Sequence, residues 1–187
     1  MQIEILLAGF GGQGIMFAGQ VLSYAAMDTG KQVTWIPSYG PEMRGGTANC
    51  TVVIADEEIG SPLVQNPPAA LIMNLPSLDK YEPLMRKGGK LVVNSSMVDR
   101  PVKRSDITAV FIPANDIAEE IGDKRLANMV AVGALLASAI PVLSIKDLEV
   151  ALNAHMPGRH KHLLPKNVEA LKRGQEYAKK ELAKLAA

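Results

Sequence analysis

Cysteine is almost absent from this chain: Cys50 stands alone among 187 residues. One thiol excludes an internal disulfide and any self-contained four-cysteine zinc or iron–sulfur site. The sequence also shows no basic stretch followed by an apolar core and a small-residue cleavage site, so a cytoplasmic location is expected. Long apolar runs are missing as well. The longest, Met129 to Leu143, falls short of the roughly 20 residues of a spanning helix and is broken by Pro141, so no membrane partner is expected. Charge of one sign is lacking too: the net charge of +1 gives no surface suited to nucleic acid or anionic lipid.

Signatures of self-sufficient catalysis are equally scarce. There is no G-x-S-x-G elbow for a serine nucleophile and no H-E-x-x-H pair for zinc. Cys50 has no evident base beside it and sits in a strongly β-like run, which reads as an inert buried thiol. All three histidines, His155, His160 and His162, fall in one segment. Pro157-Gly158 breaks the helix between them and no Asp, Glu or Cys lies there, so the segment reads as a basic loop, not a metal site. No residue is assigned a catalytic role.

What is present begins with a buried strand, Ile3 to Ala8, running into Gly9-Phe10-Gly11-Gly12-Gln13-Gly14 and a helical pattern from Ile15 to Met27. A glycine-rich turn between strand and helix brings backbone N–H groups and a helix N-terminus against an anion, usually a phosphate. Two residue tests narrow the ligand. A dinucleotide site wants an acid at the end of the second strand, whereas Gln32-Val33-Thr34-Trp35-Ile36 ends in Pro37-Ser38. A triphosphate site wants Lys then Ser or Thr after the last glycine, whereas Ile15 and Met16 follow Gly14. Either the turn takes a phosphate compound of another kind, or its glycines serve only close packing of strand and helix.

The remaining pattern alternates strand and helix. Strands are expected at Thr47–Ala55, Ala70–Asn74, Lys90–Asn94 and Thr108–Pro113, with a helix opened by Ser77 and closed by Gly88-Gly89 and a short helix over Asp116–Ile121. The expected fold is α/β: a Rossmann-like, doubly wound, mostly parallel sheet with a helical C-terminal extension. Leu126 to Ala139 is apolar nearly all round, as in a core helix. Ser144 to His155 repeats Ile145, Leu148, Ala151 and Leu152 on one face. The last helix carries a Val168, Leu171, Ala178, Leu182, Leu185 stripe opposite a solvated face with Glu169, Arg173, Glu176 and Lys180. With no internal repeat or low-complexity linker, residues 1–187 read as one domain, its C-terminal helices starting at about 144.

A second chemical feature, Pro37-Ser38-Tyr39-Gly40-Pro41-Glu42-Met43-Arg44-Gly45-Gly46, follows the second strand. Loops at the carboxyl ends of neighbouring strands converge on one crevice, so this segment should face the glycine turn. Arg44 offers a forked donor for phosphate or carboxylate, Tyr39 a phenol, and Gly45 and Gly46 bare backbone. Glu42 either joins them or pairs with Arg44 to brace the turn.

The two glycine-bearing motifs, their continuation Thr47-Ala48-Asn49-Cys50, and Asn128-Met129-Val130-Ala131-Val132-Gly133-Ala134 together resemble the gamma subunit of 2-oxoacid:ferredoxin oxidoreductases, over nearly the whole chain. The Ser38-to-Gly46 form is most like the 2-oxoglutarate type, sometimes the branched-chain type. Phe10 stands where pyruvate-type subunits more often carry a basic residue. The resemblance implies a subunit of an enzyme that oxidatively decarboxylates a 2-oxoacid to an acyl-coenzyme A and reduces ferredoxin or flavodoxin. Thiamine diphosphate and iron–sulfur clusters are then expected on partner alpha, beta or delta subunits. This subunit would help bind coenzyme A, with Gly9, Gly11, Gly12, Gln13 and Gly14 against the phosphates. Tyr39, Glu42, Arg44, Gly45 and Gly46 would face the coenzyme or the catalytic subunits. Two other readings stay open: a structural assembly subunit without a ligand, and a free-standing nucleotide-dependent oxidoreductase.

Overall fold

The computed structural model describes residues 1–38 and 47–186. The central strand, β1 (Gln2–Phe10), is apolar on both faces: Ile5 and Leu7 point into one buried cluster, Leu6 and Ala8 into another. That alternation is the period-2 geometry of a strand covered on both sides. Each fully buried Ile or Leu there contributes about 1.5–3 kcal/mol by leaving water.

Among the described residues, six strands form one sheet in the order β2-β3-β1-β4-β5-β6. These are β2 (Gln32–Ser38), β3 (Thr47–Ala55), β4 (Ala69–Ile72), β5 (Lys90–Asn94) and β6 (Thr108–Ile112) with β1. From β1 to β6 the pairings are parallel, as the alternation with helices requires. The departure is β3, which runs antiparallel to both β2 and β1. Residues 39–46 alone join β2 to β3, fewer than the dozen or so that a parallel crossover needs.

The helices divide unequally. α1 (Ile15–Asp28), α3 (Ala114–Glu120), α4 (Ala127–Ala139), α5 (Ile145–His155) and α6 (Leu164–Ala186) contribute to the larger cluster, whereas α2 (Leu75–Tyr81) covers the other face with Leu78 and Tyr81. The helical extension folds back onto the larger cluster, where Ala170, Leu171 and Ala178 are buried with Ile5. As its sequence suggests, α4 is buried from Ala127 through Leu136. Gly133 of α4 and Gly174 of α6 make that contact close: a Cβ on either would collide with the Leu171 or Val130 carbonyl. Arg173 bonds Glu120, tying α6 to α3 through a residue expected to be merely solvated.

Local chemistry sets several boundaries. Asn74, not Ser77, caps α2: its side chain accepts from the Ser77 N–H at 2.9 Å, and Pro76 suits the first turn. The helix stops at Tyr81, well before Gly88-Gly89, in a 3₁₀ turn Glu82–Leu84 holding Pro83. α5 opens with a capping box, Ser144 and Asp147 bonding each other's backbone. The segment between β5 and β6 is fastened to Glu82, which is 2% exposed and accepts from Arg100, Arg104 N–H and Lys103 N–H. Burial pushes the Glu82 carboxyl up, but those donors outweigh it and hold it below its ordinary range. Among the described residues no helix is long and apolar enough to cross a membrane.

Candidate functional site

At the carboxyl end of β1 the chain turns through Gly11 and Gly12 into Gln13, then reaches α1 through Gly14. Gln13 braces this turn. Its Oε1 accepts from the Phe10 N–H at 2.6 Å, its Nε2 donates to the Met73 carbonyl at 3.3 Å, and its own N–H donates to the Phe10 carbonyl at 3.1 Å. The turn after β1 is thereby clamped to the end of β4. Gly9 makes room for the clamp, since a Cβ there would lie 2.6 Å from Gln13 Oε1 and 2.9 Å from Met73 Cβ.

Gly14 serves as the N-cap of α1 with φ +73°, a left-handed conformation that L side chains disfavour. Its carbonyl accepts from Ala18 N–H at 2.9 Å and from Asn128 Nδ2 at 3.2 Å. Because Gln13 N–H is spent internally, the backbone donors offered at this turn are those of Gly11, Gly12 and Gly14, none with a partner among the described residues. The first-turn N–H groups of α1 and the positive end of its dipole add to them.

Gly12 and Gln13 of this turn open onto a cavity of about 210 Å³, lined also by Met73, Asn115, Lys124, Arg125 and Ala127. It lies outside the carboxyl ends of the parallel strands, beside the point where the order reverses around β1. Asn115 is oriented by Asn94, whose Nδ2 donates to Asn115 Oδ1 at 2.8 Å. Asn94 Oδ1 in turn accepts from Ala114 N–H at 3.1 Å, fixing the start of α3. Two cations stand at the rim. Lys124 lies 3.0 Å from Glu119 and Arg125 2.7 Å from Asp123, whose carboxyl the guanidinium holds down at about 2. The Arg125 side chain is 78% exposed, so its pairing is weak and exchangeable for an anionic ligand. Lys124, Arg125 and Asn115 escaped the sequence reading; the Asp123-Lys124-Arg125 run just ahead of an all-apolar helix was the available signal.

Tyr39, Glu42, Arg44, Gly45 and Gly46 lie outside the described residues. The ends of their segment are placed: Ser38 pairs with Asn49, and Thr47 pairs with Phe10 at the start of the glycine turn. The segment therefore leaves and rejoins the sheet at the edge that carries the cavity.

The other singled-out groups stand apart. Cys50 is fully buried, and burial pushes its thiol up to about 11, partly offset by the Trp35 indole. His155 stacks on Tyr24, ring centroids 4.1 Å apart, and its Nε2 lies 3.1 Å from Asp28. His160 accepts from Arg159 Nε at 3.1 Å within the 3₁₀ segment Gly158–Leu163.

Residues 4–177 match the family described as pyruvate ferredoxin/flavodoxin oxidoreductase. The 2-oxoglutarate synthase subunit KorC of Methanothermobacter marburgensis is 40% identical over 184 residues, covering 94% of this chain and 96% of that protein. The ketoisovalerate oxidoreductase subunit VorA of the same organism is 36% identical over 181 residues, covering 97% of this chain; the chain spans only 37% of that relative's length. Among solved structures, the gamma subunit of keto/oxoacid ferredoxin oxidoreductase from Geobacter sulfurreducens PCA superposes with a TM-score of 0.81 at 31% identity over 99% of each chain. A fold likeness (TM-score 0.85, 24% identity) covers 95% of this chain and 31% of a chain of the 2-oxoglutarate:ferredoxin oxidoreductase from Magnetococcus marinus, solved with 2-oxoglutarate, coenzyme A and succinyl-CoA bound. On its sequence and its fold, the chain belongs to the pyruvate ferredoxin/flavodoxin oxidoreductase family.

Proposed function

We infer that this chain is the gamma component of a 2-oxoacid:ferredoxin oxidoreductase of the 2-oxoglutarate type, and that it forms one wall of a coenzyme A site shared with catalytic partner chains. The observation that carries this reading is the carboxyl-edge cavity, where Gly12 and Gln13 of the glycine turn meet Asn115, Lys124 and Arg125. Such a set suits a pyrophosphate or phosphomonoester. It needs neither a ribose-binding acid nor a metal-holding hydroxyl, the two features missing from the motif. The 40% identity to KorC favours 2-oxoglutarate as the oxoacid.

The chain's own residues bind and orient in this scheme. Gly11, Gly12 and Gly14 donate to phosphate oxygens, Asn115 adds a side-chain amide, and Lys124 and Arg125 exchange their carboxylate partners for the ligand. The segment 39–46, anchored at Ser38 and Thr47, brings Arg44 and Tyr39 to the coenzyme or the partner chains. Thiamine diphosphate and the clusters belong on those partners, since one buried cysteine does not supply a cluster's ligands.

Titration of coenzyme A and NADH into the isolated chain and the assembled complex tests the reading. Coenzyme A binding to the complex, with weaker binding to the isolated chain and none of NADH, is expected. NADH binding in its place would make the chain a free-standing nucleotide-dependent oxidoreductase. Binding of neither would leave a structural assembly subunit.

A further inference from the structure

The sheet ends at β2, whose outer side carries no strand among the described residues. Hydrogen-bond alternation tells which backbone groups face that way. Just beyond β3, Asp56 N–H donates to the Met1 carbonyl at 3.0 Å, so the even-numbered residues of β3 bond β1 and the odd-numbered ones bond β2. Through the β2–β3 register, Gln32, Thr34, Ile36 and Ser38 then face β3, and Val33, Trp35 and Pro37 face outward. Pro37 fits that side, having no N–H to give a neighbour. Val33 and Trp35 are left with N–H and C=O groups that have no hydrogen-bond partner among the described residues.

An open edge is normally blunted by charged side chains, shortened or covered, because it is a template for pairing. β2 holds no charged residue, and the flanking Lys31 is turned onto Asp56. Only Pro37 interrupts the outward row, at its end. Ile36, on the face away from α1, is 38% exposed.

The position of this edge matters as much as its chemistry. β1 and β2 both run antiparallel to β3, so β2 ends at the side of the sheet where β1 meets the glycine turn. A strand beside β2 would lie three strand spacings from β1, about 14 Å. In VorA the counterpart of this chain takes up 37% of a longer protein and is tethered to the rest; in KorC it takes up 96%. A counterpart without that tether has to be held to its catalytic chain by its surface.

We propose that an extended segment of the catalytic partner chain adds to β2 as a seventh strand, bonded to the outward groups of Val33 and Trp35. The assignment rests on the gamma-component reading above and adds the surface by which the chain is held. Main-chain bonds give such a contact its affinity, and the side chains beside Ile36 give it selectivity. Pro37 ends the row of donors, which ties the register of the incoming strand to Val33 and Trp35.

The test is amide hydrogen exchange along 32–38 in the isolated chain and in the assembled complex. In the isolated chain Val33 and Trp35 should exchange at least tenfold faster than Thr34 and Ile36, and on assembly that alternation should disappear. Two variants accompany it: Val33→Pro, which removes an outward N–H, and Ile36→Lys, which adds a charge beside the edge. Each should weaken binding of the chain to the catalytic partner at least tenfold, and should a variant fail to fold, the exchange pattern of the unaltered chain still decides. Alternation that persists in the complex, or that is already lost in an isolated chain paired with a second copy of itself, would overturn the assignment and leave the gamma-component reading standing. A chain that forms no complex with catalytic partner chains would overturn that reading and this assignment with it.

Discussion

Asn128 Nδ2 donates to the Gly14 carbonyl at 3.2 Å, joining two residues 114 positions apart. The bond fixes the start of α4 against the turn that starts α1. A Cβ on Gly14 would collide with that same Nδ2. Gly14→Ala should therefore cost more than the roughly 1–2 kcal/mol of a left-handed L residue alone. Urea denaturation checks it: the Gly14→Ala/Asn128→Ala pair should be less destabilised than the sum of the single variants, because the second change removes the collision but not the strain.

The α4–α6 crossing makes a separate demand. Gly133→Ala and Gly174→Ala each drive a methyl into a carbonyl of the facing helix, and backbone cannot yield as a side-chain end does. Overpacking of this kind typically costs about 1–3 kcal/mol, and these sites belong at or above the upper end. Thermal melts should show both variants well below the parent, with hydrogen exchange fastest in α6.

Glu82 gives the fold an acid-sensitive point. Its folded carboxyl sits below the usual carboxylate range, because bonds from Arg104, Arg100 and Lys103 outweigh the opposing effect of burial. A depressed pKa contributes stability that is present above the unfolded value of about 4.3 and is lost as pH falls through the folded one. Glu82→Gln should be less stable than the parent at pH 7, and the gap should shrink as the pH drops below about 4. Denaturation curves at stepped pH measure this.

Cys50 should behave as a structural thiol. Held up at about 11 and fully buried, it carries almost no thiolate at pH 8. An alkylating reagent should leave the native chain unlabelled over a period that completely labels the chain in denaturant. Rapid native labelling would contradict the packing of Cys50 against α1.

Periodicity was legible along the chain. β1, the glycine turn, the apolar repeat of Ser144 to His155 and the all-apolar α4 are local patterns, each written within a short stretch of chain; the capping box at Ser144 went unread. The antiparallel direction of β3 was hidden, because it depends on how the strand pairs with its neighbours, not on the strand's own residues. The cap of α2 was misplaced by its sequence because Ser77 and Asn74 are both good caps, and Ser77 is buried at the helix's first turn. At the site, the glycines announced an anion, yet Gln13 turned out to spend its side chain and its N–H on bracing the turn. Lys124, Arg125 and Asn115 reach that turn only through tertiary folding: Asn115 from the start of α3, and Lys124 and Arg125 from a 3₁₀ turn whose local sequence looks like any solvated charge pair.

The most direct test of the account is steady-state kinetics of the assembled complex carrying Lys124→Ala and Arg125→Ala together. If the carboxyl-edge cavity holds the phosphates of coenzyme A, the KM for coenzyme A rises at least tenfold while the KM for the 2-oxoacid stays within twofold. A KM for coenzyme A equal to that of the unaltered complex would contradict it.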